Sequence, residues 1–148
     1  AEMRGMCGAK DVLLAYQPTE TKIKRFINLI KNYPNTNYSC LVDNLQSAKL
    51  FSKAAIAENV IIFVGIDLNV GMNRTGVIPG QEAIDLFEAI TKMPYLKLLG
   101  FHAYDGQINN VYFEKRKRVC NSFFEVVESI RKTLQSKGFT LPLLIAGG

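Results

Sequence analysis

The chain has a single histidine, His102, and only three cysteines, Cys7, Cys40 and Cys120, scattered along its 148 residues. One imidazole rules out a two-histidine metal site and a conventional zinc finger. An odd, dispersed set of thiols argues against a disulfide framework and against a zinc cluster. Long apolar runs are missing as well. The longest is Val60–Ile66, far short of the ~20 residues that a membrane span requires. No basic segment followed by an apolar stretch opens the chain, so nothing in it marks secretion. No low-complexity tract, long linker or second compositional regime interrupts it. With 48% hydrophobic and 21% charged residues, the composition is that of a globular domain, which excludes disorder and fibrous repeats. A reduced, cytoplasmic compartment and no membrane partner are the expectation.

What the chain does have is a positive balance, +5 at neutral pH with a pI near 9.2. The one basic run is Lys115-Arg116-Lys117-Arg118. It leads into Val119, Phe123, Val126, Val127, Ile130 and Leu134, which recur at helical spacing. Lys115, Arg118, Ser122, Glu125, Ser129 and Lys132 fall on the opposite side, with Glu114 one turn from Arg118 and Glu128 one turn from Lys132. The run therefore reads as a solvated helix face. With no interleaved aromatic-basic pattern, no nucleic-acid partner is expected. A mildly basic surface suits anionic small molecules.

Five short apolar runs, Val12–Tyr16, Tyr38–Asp43, Val60–Asp67, Leu96–His102 and Leu141–Ala146, are nearly continuous and rich in Val, Ile and Leu. Strands of a parallel sheet covered by helices read this way. Between them lie amphipathic stretches. Ile23, Phe26, Ile27 and Ile30 form one stripe after Thr19-Glu20. Asp43 with Gln46 resembles a capping box. Pro79 opens a helix that carries Ile84, Phe87 and Ile90. Val119–Leu134 forms the last helix, stopped by Gly138. This α/β alternation leaves two architectures, an open doubly wound sheet or an arc of a (β/α)₈ barrel. The first ten residues read as the end of a helix, and Gly147 and Gly148 directly follow a strand. The expectation is therefore a barrel arc of about five parallel strands alternating with helices, one domain over 1–148, truncated at both ends.

In either architecture ligands bind beyond the C-terminal ends of the strands. Those ends supply Tyr16-Gln17, Asp43-Asn44, the stretch from Asp67 to Val77, His102 with Tyr104-Asp105-Gly106, and Gly147-Gly148. The Asp67–Val77 stretch is the most informative. Two glycines let its backbone turn sharply or approach a ligand. Between them, Arg74 offers a planar five-donor fork to an anion or a phenolate oxygen. Taken alone, the same residues also describe an ordinary glycine turn with a solvated arginine.

The segment IDLNVGMNRTGV resembles the fifth-strand motif of the alanine racemase-type barrel, which binds pyridoxal 5′-phosphate. Four further pieces follow in the family's order. DVLLAYQP and CLVDNLQSAKL are similar to early strands of the D-threonine aldolase and D-serine dehydratase branch. LLGFHAYDGQ resembles the strand that ends beside the pyridine ring, and IAGG the start of the glycine-rich phosphate loop. The resemblance implies that Arg74 hydrogen-bonds the cofactor's O3′ and tunes its electronics. It implies that Tyr104 or His102 flanks the ring, and that Gly147 and Gly148 give backbone N–H groups to the phosphate. Tyr16 and Asp67 are further rim candidates.

The departures are equally informative. The family's Schiff-base lysine ends the first barrel strand, upstream of this segment, and no lysine here stands at a strand end; Lys97 lies near the beginning of its strand. The aldolase branch also uses a divalent metal whose ligands lie outside this chain, and the racemase's second-domain tyrosine is absent. The resemblance thus implies the cofactor-binding middle of an enzyme acting on D-amino acids. Most similar is an aldolase cleaving D-3-hydroxy amino acids to glycine and an aldehyde, working as a homodimer. An amino-acid racemase, a non-enzymatic pyridoxal-phosphate carrier and a doubly wound phosphate-binding domain are the alternatives. By itself the segment is expected to be inactive and to self-associate through its two strand edges.

Overall fold

The computed structural model describes residues 1–140 and 142–147. A short helix, α1 (Glu2–Met6), precedes β1 (Asp11–Leu14). Then follow α2 (Glu20–Asn32), β2 (Asn37–Val42), α3 (Leu45–Glu58), β3 (Ile62–Leu68), α4 (Gln81–Thr91), β4 (Leu96–Ala103), α5 (Phe113–Ser136) and β5 (Leu143–Ala146). The five strands pair in sequential order, β1-β2-β3-β4-β5, and every pairing is parallel. Consecutive helices touch, α2 with α3, α3 with α4 and α4 with α5, so they line one face of the sheet. A doubly wound sheet would reverse its strand order partway and split its helices between two faces. The chain instead forms half of a TIM-type barrel.

Alternation along the strands explains the layers. Tyr38, Cys40 and Val42 of β2, with Ile62, Val64, Ile66 and Leu68 of β3, are buried with the helices' apolar stripes in one core. Those stripes are Ile23, Phe26 and Ile27 of α2, Phe51 and Ala55 of α3, Ile84, Phe87 and Ile90 of α4, and Val127, Ile130 and Leu134 of α5. Each large side chain so buried contributes about 1.5–3 kcal/mol. The residues between them, Leu41, Gly65 and Asp67, point to the opposite face, the inside of the arc.

One residue breaks the alternation. Val64 pairs with Leu98, but Gly65 pairs with Gly100, so Leu99 is an extra residue in β4. Leu96 and Leu98 pack towards the helices before this bulge, and Phe101 and Ala103 after it. The bulge moves His102 to the inside, level with Asp67. Gly100, at φ +146°, is required here, because a Cβ would lie 2.1 Å from the Leu143 carbonyl oxygen.

Several local expectations need correction. The N-cap of α3 is Asn44, not Asp43, and its side chain accepts the Ser47 N–H at 2.8 Å; Asp43 is engaged with the neighbouring loop instead. Gly80 caps α4, one residue after Pro79. Helix α5 begins at Phe113, well before Val119, because the basic run continues the helix as an exposed turn. Val126 is 45% exposed. Glu128 pairs with Arg131 rather than Lys132, since the i+3 arginine reaches it on the same face. Among the described residues, Glu114 and Arg118 form no ion pair. Leu141, the expected start of the last strand, lies outside the described residues. The sheet's edge strands are β1 and β5. No described helix is long and apolar enough to cross a membrane.

Candidate functional site

The site begins with how the β3–α4 loop folds. After Leu68 the Asn69 carboxamide organises the turn. Its Oδ1 accepts the N–H groups of Gly71 (3.1 Å) and Asn73 (3.0 Å), and its Nδ2 donates to Asn73 Oδ1 (3.1 Å). The loop then returns along β3, with Val77 N–H on the Asp67 carbonyl and Asn69 N–H on the Val77 carbonyl, each at 2.9 Å. This return needs Gly76, at φ +98°, where a Cβ would sit 2.6 Å from the Asn69 nitrogen. Asp43, at the end of β2, accepts the Gly76 N–H through Oδ2 at 3.1 Å. Its own N–H donates to Gln17 Oε1 at 3.0 Å. The crest of the loop is thereby tied to the ends of two other strands, and that crest carries Arg74.

Arg74 is exposed overall, but its guanidinium lies within cation–π range of two aromatic rings. Its carbon is 5.7 Å from the Tyr16 centroid and 5.3 Å from the Tyr104 centroid. Two such contacts hold the planar fork by cation–π attraction and leave its N–H edge for an anionic acceptor. Tyr104 follows β4 and folds back over Gly106, where a Cβ would meet its hydroxyl at 2.3 Å. On the inside of the arc, in the same cleft, His102 Nδ1 lies 2.8 Å from Asp67 Oδ1. Thr75 Oγ1 donates to Asp67 Oδ2 at 2.8 Å. Ala15, Asp67, Met72, Arg74, Thr75, His102 and Tyr104 line one small cleft.

The sequence candidates Tyr16, Asp67, Arg74, His102 and Tyr104 are thus brought together, and His102 and Tyr104 take different places. Tyr104 stacks on the arginine, while His102 lies within the arc against a carboxylate. Gly147 follows β5 at the same end of the sheet, with φ +133° and open space where a Cβ would project. Gly148 lies outside the described residues. Lys97 pairs with Phe63 at the opposite end of β4 and rests its ammonium 5.8 Å from that ring. None of the cleft-lining residues is a lysine. Among the described residues no three His, Cys, Asp or Glu side chains converge as a metal site would require. A groove of about 740 Å³ along α5, between Asn121 and Ser136, contains none of the rim residues.

Sequence reasoning missed Thr75 and Gln107. Gln107 Nε2 donates to the Val70 carbonyl at 2.7 Å. It also packs against Gly71, where a Cβ would approach it to 3.1 Å, so it joins the β4–α5 loop to the arginine loop. Gly71 was the available signal, since a glycine at a turn can mark a position where a side chain would crowd a neighbour. Near the same loop, partial burial and then the Asp105 carboxylate push the Cys120 thiol above its ordinary range; the two groups lie 3.8 Å apart.

Half of a parallel barrel, with a charged cleft at the C-terminal ends of its strands, defines the class of molecule. Residues 12–147 match the model of the alanine racemase N-terminal domain, and the chain belongs to that family. The family is pyridoxal phosphate-dependent. The chain is 27% identical to 3-hydroxy-D-aspartate aldolase of Paracoccus denitrificans, over all of this chain and 38% of that protein. It is also 27% identical to alanine racemase of Clostridium tetani, over 82% of this chain and 31% of the racemase. The crystal structure of D-threonine aldolase from Filomicrobium marinum superposes with a TM-score of 0.87 at 22% identity, covering 99% of this chain and 44% of that one. The chain therefore spans less than half the length of these relatives.

Proposed function

We propose that this chain is the cofactor-binding part of a pyridoxal-phosphate enzyme acting on D-amino acids, similar to an aldolase that cleaves D-3-hydroxy amino acids to glycine and an aldehyde. The observation that carries the reading is the Arg74 guanidinium, within cation–π range of both Tyr16 and Tyr104, lining one cleft with the Asp67–His102 pair. The donor set suits the cofactor. A clamped guanidinium fits an anionic ring oxygen, a tyrosine and an imidazole offer flanking surfaces, and the exposed backbone of Gly147 fits a phosphate. Gly148 is assigned the same phosphate role by resemblance. When bound, the pyridine ring supplies an electron sink.

This chain's own residues would bind and orient. Arg74 holds the O3′ side of the ring, Tyr104 and His102 bound the cleft laterally, and Tyr16 keeps the arginine in place. The lysine that attaches the cofactor and the ligands of any divalent metal are assigned to parts of the protein outside this chain. A homodimer of the full-length protein belongs to the same reading. The match to alanine racemase, at the same identity as the match to the aldolase, supports amino-acid racemisation as a second reading.

The test is Arg74→Ala in the full-length protein. Loss of one charge-assisted hydrogen bond predicts about ten-fold weaker pyridoxal phosphate binding or more, with a shifted visible absorbance. An unchanged spectrum and affinity would refute the O3′ assignment. Separate incubations with D-threonine and with one enantiomer of alanine distinguish the readings: glycine and acetaldehyde from D-threonine mark the aldolase, whereas appearance of the other alanine enantiomer marks the racemase.

A further inference from the structure

Asp67 serves two partners with its two oxygens. Oδ1 faces His102 Nδ1 at 2.8 Å, and Oδ2 accepts the Thr75 hydroxyl at 2.8 Å. Both members of the acid–imidazole pair are largely buried, with side chains 12% and 13% exposed. A carboxylate is an acceptor only, so the proton between the pair belongs to Nδ1. The reverse tautomer would set the Nδ1 lone pair against the carboxylate at hydrogen-bond distance, a repulsion that partial burial strengthens. Among the described residues Nε2 has no hydrogen-bond partner. Thr75, held by the other oxygen, is the residue next to Arg74. Leu99 makes the arrangement attainable, because its bulge brings His102 level with Asp67 on the inside of the arc.

We propose that Asp67 is a positioning residue that acts through His102 and Thr75: it fixes His102 as the Nδ1–H tautomer, so that Nε2 is offered to a bound ligand as an acceptor, and it anchors the backbone beside Arg74. The inference rests on reading this cleft as the cofactor site and deepens it. A neutral Nε2 acceptor beside a guanidinium selects a ligand that presents an anionic oxygen to Arg74 and an O–H or N–H donor to His102. Two substitutions separate the arms of the device. Asp67→Asn keeps the shape, but its amide can turn an N–H towards His102 and release the tautomer. Thr75→Val removes only the hydroxyl, and Thr75→Ser restores it.

The tautomer is read by ¹⁵N NMR of histidine-labelled full-length protein, with His102→Gln identifying the His102 signals by difference. The expected wild-type spectrum at a pH where the ring is neutral has a proton on Nδ1 and a lone pair on Nε2. Asp67→Asn should abolish that preference and weaken pyridoxal phosphate binding, read from visible absorbance, by about ten-fold. Thr75→Val should weaken binding about three-fold without changing the tautomer, and Thr75→Ser should recover it. A wild-type ring carrying its proton on Nε2 overturns the proposal whatever the cofactor result. So does a wild type that binds pyridoxal phosphate while Asp67→Asn and Thr75→Val bind it equally well. A wild type that takes up no pyridoxal phosphate refutes the cofactor-site reading on which the proposal rests. The tautomer spectrum then still judges the Asp67–His102 link.

Discussion

The two faces of this sheet are built from alternate residues of the same strands, yet they differ in kind. On the helix-covered face Cys40, Val42, Ile62, Val64 and Ile66 are fully buried, and their neighbours are aliphatic and aromatic side chains from four helices. On the inside of the arc Asp67 and His102 face each other across β3 and β4, and Leu143 and Ile145 of the edge strand are 53% and 36% exposed. The first face resembles a finished interior, largely apolar, whose few buried hydroxyls are satisfied: Ser52 donates to the Pro94 carbonyl at 2.7 Å and Tyr38 to the Ala1 carbonyl at 3.4 Å. The second leaves Leu143 and Ile145 partly uncovered while Leu41 is buried, and it carries the Asp67–His102 pair at the C-terminal rim and Lys97 at the opposite end. One face holds the strands in register. The other uses that register to bring together side chains that are far apart in the chain.

Deleting Leu99 is the most direct way to break the comparison, because it exchanges the faces. Without the bulge Phe101 would turn inward and His102 would enter the core, so the deletion is expected to cost at least about 3 kcal/mol or prevent folding. Urea denaturation of the full-length protein measures the loss, and a midpoint unchanged from wild type would show that the bulge does not set the faces. Ile66→Ala comes next. It opens a cavity on the finished face and should cost about 3 kcal/mol, seen as a lower urea midpoint at constant slope. Asn44→Ala tests a local contribution at the rim; loss of the cap on Ser47 should cost about 1 kcal/mol.

The smallest effect concerns protons. Burial alone pushes the Cys40 thiol well above its ordinary range. Folded Cys40 therefore keeps a proton that the unfolded chain releases once the pH passes the ordinary thiol range. Its contribution is complete below that range and is lost as the pH rises. Cys40→Ala should accordingly flatten the alkaline fall of the urea midpoint between pH 7 and about pH 9.5. In native protein near neutral pH, alkylation should modify exposed Cys7 first, then Cys120 and last Cys40, an order read by peptide mass spectrometry. Rapid native labelling of Cys40 would show that the helix-covered face opens more readily than its packing implies.

Much of this molecule can be read from the chain. Buried parallel strands leave near-continuous apolar runs, so five such runs separated by amphipathic stretches identify the alternation, and each run's polar end marks the rim. Thr19 and Gly138 mark helix ends through local conformational preferences alone. The Asp67–Val77 stretch and its order among the other pieces reveal the family. The site was less legible. Tyr16 and Tyr104 appeared as separate strand-end residues, and only the sheet's pairing brings both within cation–π range of the Arg74 guanidinium. Asp43 looked like a helix cap because the spacing to Gln46 fits one, but its carboxylate is taken by the Gly76 N–H of another loop.

Element order, helix stripes and the glycines that permit the turns follow from periodicity and backbone sterics, which act within a few residues. The sequence by itself determined these. Which way His102 points does not follow from them. It depends on an extra residue that becomes visible only when β4 is aligned against β3, and on a glycine that lets β5 approach. The tertiary structure alone decided the two partners of Asp67 and the aromatic clamp on Arg74. The reason is physical: the strand repeat of two makes facing a matter of register, and register is a property of neighbouring strands rather than of any one of them.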